Sequence, residues 1–112
     1  MRFLLLKFVA APTIDSLPDA GTLDAIDHFN RALRDAGVLL GTDRLRPSAR
    51  RVRLEAASDR QARAVDAPEV VVGYWLIQVR SHEEALAWAR RCPLSGDEAV
   101  EVRQAIPHDT PD

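Results

Sequence analysis

Six side chains in this 112-residue chain have the type and setting to support chemistry. Asp66 precedes Ala67-Pro68 at the end of a polar stretch, directly before a hydrophobic run. Burial there would raise its pKa and make it a usable general base near neutral pH. The same aspartate could instead cap a turn, since its carboxylate readily accepts from the backbone two residues on. Asp43 follows Gly41-Thr42 at the end of an apolar segment, where an acid either faces a cleft or solvates a turn. Either aspartate could shuttle a proton on a small polar metabolite. Lys7 interrupts the apolar run from Phe3 to Val9. A buried lysine is costly unless paired, so it points into a polar pocket or snorkels at a sheet edge. Tyr74 and Gln78 share parity in one strand and face the same way, towards a ligand or a subunit interface. His28 lies roughly opposite Ile26 on a helix, which places it at the surface or at a subunit edge, the weakest of the ligand-binding candidates.

Other chemistries lack their residues. One cysteine excludes an internal disulfide, and no Cys/His cluster has zinc spacing, so no metal site is expected. Cys92, before Pro93, reads as a small apolar side chain. His82 and His108 read as solvent residues. No phosphate loop, Rossmann glycine pattern, serine elbow or metal-helix motif is present, and no cofactor is expected. A net charge of −2 argues against a general nucleic-acid or anionic-membrane binder. Lys7 is the only lysine beside many arginines, which reads as a coding bias more readily than as anion recognition.

The elements that would position these groups follow from pattern. Residues 2–10 form a strand; Lys7 breaks the apolar core that a signal peptide would need, and no run reaches the ~20 apolar residues of a membrane span. A cytoplasmic protein is expected. After a loop rich in proline and glycine, Thr22 is the expected N-cap of a helix over 22–36 that places Leu23, Ile26, Phe29 or Asn30, Leu33 and Ala36 on one face and stops at Gly37. Val38-Leu39-Leu40 starts the next strand. Arg51 to Glu55 alternates charged and apolar, as a strand with one wet face does. Residues 56–67 form a connection or a short extra strand. Val70 to Val79 is apolar on both faces, as in a sheet covered on both sides. Ser81 with Glu84 is a capping box for a helix over 82–91, ended by Pro93. Residues 100–106 alternate once more, and a frayed tail follows from Pro107. The chain therefore reads as one domain over 1–106 with a tail over 107–112. The order is that of an α+β, ferredoxin-like βαββαβ sandwich with an antiparallel sheet and both helices on one face. The other face carries more apolar residues than can stay wet, and packing it on a second copy to form a homodimer resolves this.

The run Gly73-Tyr74-Trp75-Leu76-Ile77-Gln78-Val79-Arg80-Ser81-His82-Glu83-Glu84 and its continuation to Pro93 resembles a signature of the YCII-related proteins, in particular the branch named for an Asp-Gly-Pro-Phe tetrapeptide. Asn30-Arg31-Ala32-Leu33, Ala36 to Leu40, Asp43, Arg51-Val52-Arg53 and Val100 to Gln104 extend the resemblance over nearly the whole chain. It implies a dimeric α+β barrel in which open sheet faces meet. It further implies either a small cofactor-independent enzyme of lyase, isomerase or dehalogenase type or a non-catalytic ligand-binding or accessory protein associated with alternative sigma factors. The tetrapeptide stands here as Asp66-Ala67-Pro68-Glu69, and the stretch to Gly73 is shorter than in such relatives. Relatives carry a His/Asp pair, but His28 does not fall on the family histidine and takes no role from it.

Overall fold

In a computed structural model the described residues are 1–10, 18–46, 52–64 and 69–109. The main sheet has four strands in the order β2-β5-β1-β6. They are β1 (Arg2–Ala10), β2 (Leu39–Arg44), β5 (Glu69–Gln78) and β6 (Ala99–Ala105). Every neighbouring pair is antiparallel. Two helices, α1 (Ala20–Asp35) and α2 (His82–Ala89), pack on one face of it. This is the ferredoxin-like arrangement expected from the strand and helix order. Two short strands, β3 (Val52–Leu54) and β4 (Ala62–Ala64), pair with each other in a separate two-stranded sheet. β3 falls within the alternating strand expected from Arg51 to Glu55, and β4 within the stretch over 56–67 expected as a connection or a short extra strand.

Alternation along the strands builds the core. Phe3 and Leu5 of β1, with Trp75 and Ile77 of β5, point to the helices and meet Phe29 and Leu33 of α1 and Ala85 and Ala89 of α2. Leu5, Leu33, Ile77 and Ala85 are fully buried. The Trp75 indole N–H donates to Asn30 Oδ1 at 2.6 Å, so this polar edge is satisfied inside the core. Phe29 stands edge-on to both Trp75 and Trp88.

The helix ends are set locally. α1 begins two residues before the expected start. Asp19, not Thr22, is the N-cap, and its carboxylate accepts from the Thr22 backbone N–H at 2.7 Å. Thr22 is thus the capped residue and Gly21 lies in the first turn. At the other end Gly37 adopts φ 72, with Gly37 N–H donating to Arg34 and Val38 N–H to Leu33, the paired bonds of a Schellman stop. In α2 the Ser81 hydroxyl accepts from Glu84 N–H at 3.1 Å, as the capping box requires. The Glu84 carboxylate reaches one residue further back than the box prescribes, to Arg80 N–H at 2.9 Å.

Two bulges shape the sheet. Between Lys7↔Gly73 and Phe8↔Val71 the extra residue is Val72. Between Leu39↔Ile77 and Gly41↔Leu76 it is Leu40, which is half exposed. The face away from the helices carries Leu4, Leu6, Tyr74 and Leu76, all only partly buried. β5 is therefore covered on one face within the protomer, not on both as its apolar sequence suggests.

Candidate functional site

The open sheet face brings two of the candidate residues together. Asp43 on β2 lies directly opposite Tyr74 on β5. The Tyr74 hydroxyl donates to Asp43 Oδ2 at 2.8 Å. The strands are locked beneath the pair by the Thr42 hydroxyl, which donates to the Tyr74 carbonyl at 2.8 Å. The bond to Asp43 raises the Tyr74 pKa above its ordinary value, because losing the phenolic proton would remove the bond and set two negative charges side by side. Tyr74 is thus held as a proton donor, with Leu6 opposite it on β1 and Leu76 two residues along β5, while the exposed Asp43 is the acceptor on the edge strand β2. A carboxylate anchored through one oxygen can orient a polar ligand or accept a proton from it.

Lys7 does not join them. It neighbours Gly73, next to Tyr74, but points to the opposite, helix-covered side of the sheet with Phe3 and Leu5, and is 4% exposed. There its ammonium meets Glu98 Oε1 at 3.3 Å. The same oxygen accepts from the Ser95 backbone N–H at 2.8 Å and the Ser95 hydroxyl at 3.2 Å. The lysine is thus neither in a pocket between sheet and partner nor snorkelling at an edge; it pins the loop between α2 and β6 to β1. Glu98 was not singled out by sequence reasoning, although the Ser95-x-x-Glu98 spacing of a capping box was there to be read. Cys92 is buried close by, and burial pushes its thiol up to about 11, so it is no ready nucleophile.

The remaining candidates are dispersed. Gln78 sits exposed at the end of β5, opposite Arg2. His28 is exposed on α1 and lines a shallow depression of about 430 Å³ with Ala25, Phe29, Arg91 and Pro93, on the helix side and away from the Asp43–Tyr74 pair. The Arg91 guanidinium stacks over Trp88 at 4.5 Å. Asp66, with the rest of its tetrapeptide save Glu69, lies outside the described residues. Among the described residues no group of three or more His, Cys, Asp and Glu side chains is placed to hold a metal ion, and no helix is long and apolar enough to cross a membrane.

The family model of the YCII-related domain matches residues 1–109. No curated protein matches the chain. With the match covering nearly its whole length, the chain belongs to the YCII-related domain family.

Proposed function

We propose that this YCII-related protein works as a homodimer whose open sheet faces meet, and that the space between them holds a small polar metabolite at Asp43 and Tyr74. The observation that carries the reading is the 2.8 Å bond from the Tyr74 hydroxyl to Asp43 Oδ2, on a face that Leu4, Leu6 and Leu76 share with Arg2, Gln78, Glu101 and Arg103. Leu4, Leu6 and Leu76 beside it supply the dry wall that strengthens a hydrogen bond to a ligand. In the catalytic form of the proposal, Asp43 takes a proton from a carbon or hydroxyl of the ligand and returns it to another atom, as in a lyase or isomerase that needs no cofactor. Tyr74 fixes the carboxylate and keeps its own proton. Asp66, three residues before β5 in the sequence, belongs to the same proposal as a second acid. Placement in the Asp-Gly-Pro-Phe branch rests on the signature running from Gly73 to Pro93.

The leucines at the centre of the face also favour a second reading. A barrel interior filled by Leu4, Leu6 and Leu76 from both copies would leave no room for a substrate, and the protein would then be a dimeric accessory or ligand-binding module. Ligand-observed NMR with a panel of small carboxylic acids and lactones separates the two. Binding that weakens at least about tenfold, about 1.4 kcal/mol, in Asp43→Asn supports a site at the pair. No binding across the panel favours the filled barrel, and equal binding in wild type and Asp43→Asn overturns the site at the pair. Light scattering at micromolar concentration that returns a mass near 12.4 kDa would overturn the dimer under either reading.

A further inference from the structure

The buried ammonium of Lys7 has no part in the function proposed above, and its surroundings are those of an anion site. Three donors converge on a single oxygen, Glu98 Oε1. They are Lys7 Nζ at 3.3 Å, the Ser95 backbone N–H at 2.8 Å and the Ser95 hydroxyl at 3.2 Å. They come from two distant parts of the chain, β1 and the turn that leads into β6. An ammonium carries three N–H groups, and Glu98 is the only acceptor that Lys7 finds among the described residues. Their separation is longer than the roughly 2.7–2.9 Å of a tight charge-assisted bond. A cation that is 4% exposed is therefore matched by one acceptor, held at its outer reach.

The donors are fixed while the acceptor is not. Lys7 sits in β1 between Gly73 of β5 and Val100 of β6. The turn at Ser95 is closed by its own backbone, with Glu98 N–H donating to the Ser95 carbonyl at 3.0 Å and Gly96 at φ 57. Only the Glu98 side chain reaches water, at 17% exposed against 5% for that of Lys7. Rotation of this side chain takes its carboxylate into solvent and leaves the turn, and all three donors, where they are. Cys92, buried close by with its thiol pushed up to about 11, stays neutral and does not compete for the cation. A single lysine charge among apolar side chains matches a monoanion; a dianion would leave a buried charge uncompensated. We propose that Lys7 and Ser95 form a binding site for a small monocarboxylate, closed in this structure by the protein's own Glu98 and opened when that side chain turns out to solvent. It lies on the opposite side of the sheet from Asp43 and Tyr74 and does not depend on the function proposed for them.

Lys7 is the only lysine, so protein labelled with 15N-lysine gives one side-chain Nζ signal that reports this site alone. Sodium formate is the probe, titrated into wild type and Glu98→Ala, with sodium chloride at equal ionic strength as the control. The expected result is a saturable shift in Glu98→Ala. Wild type should reach the same end point at concentrations at least about tenfold higher, because a tethered carboxylate competes at an effective concentration of about millimolar or more. Chloride should reproduce neither titration. No saturable shift in Glu98→Ala, or an equal one with chloride, overturns the site. A shift in the variant with none in wild type at about a hundredfold higher formate overturns the exchange, since the native site would then be filled permanently. Should Glu98→Ala not fold, the wild-type titration decides alone: a saturable shift specific to formate supports the site, and none overturns it. Asp43→Asn should leave the formate titration of wild type unchanged, so this site and the one at Tyr74 stand or fall separately.

Discussion

Replacing Glu98 by glutamine should destabilise the fold by about 2–4 kcal/mol, although Glu98 is a loop residue. Its partner, Lys7, is 4% exposed among apolar side chains, and Glu98 is its only ion-pair partner among the described residues. Breaking a buried pair by removing one member costs roughly 3–5 kcal/mol, because the remaining charge is left without compensation. Two features lower the figure here. The Glu98 side chain is 17% exposed, so water can approach the ammonium. Glutamine also keeps an oxygen able to accept from Ser95 N–H and Oγ. The reverse change, Lys7→Met, removes the charge from the dry side while keeping the length of the side chain, and should cost less than about 1.5 kcal/mol. In the double variant the two losses should not add, with a coupling of about 1–3 kcal/mol. Urea denaturation of the four proteins at pH 7 measures this cycle. A Glu98→Gln loss below about 0.5 kcal/mol, or strict additivity in the double variant, would refute the buried pair as the tie between β1 and the α2–β6 loop.

Leu33→Ala should cost about 2–5 kcal/mol in denaturant melts, since the side chain is fully buried between α1 and the sheet; a loss under about 0.5 kcal/mol would mean that face is not packed. The single tyrosine makes the site readable by absorbance near 295 nm: Asp43→Asn should bring the Tyr74 pKa down towards about 10, and an unchanged titration would dissolve the pair. The sign is that of a group whose folded pKa is raised, so the bond's contribution is present below pH ~10 and lost as pH rises through the folded value. Cys92 behaves likewise, with its thiol moved from 9.0 to about 11 by burial. Stability relative to Cys92→Ala should be constant below pH ~9 and fall by about 2–3 kcal/mol as pH rises through about 11; parallel pH curves would count against it. Ser81→Ala should cost about 1 kcal/mol through the lost cap of α2, measured by thermal melts.

Much of the framework was written in local sequence. Gly37 and Pro93 mark the ends of the two helices because one favours a left-handed backbone and the other lacks an N–H, properties that act without the rest of the chain. Ser81 with Glu84 fixes the start of α2 for the same reason. The parity of Trp75, Ile77 and Val79 places all three in the core, since alternation in a strand is a fixed period. The start of α1 was less legible because Asp19 and Thr22 are both good caps, and which one accepts depends on the path by which the chain arrives.

Which face each polar residue takes was decided only by the tertiary structure. Strand parity is read from a starting register, and one extra residue inverts everything beyond it. The bulge at Leu40 does this to β2: Leu39 faces the helices, and Asp43, which an unbroken register would set opposite Gly73 on the helix side, instead meets Tyr74 on the open face. Lys7 shows the complementary case. Its strand and its neighbour in β5 follow from pattern, but whether a lysine in an apolar run is stranded, exposed or paired depends on Glu98, ninety-one residues later in the chain. Sequence by itself determined the elements, their order and the apolar faces, because these follow from short-range periodicity and backbone chemistry. Bulge positions and long-range charge partners, and with them the candidate site, are set by how the strands and loops fit once they are brought together.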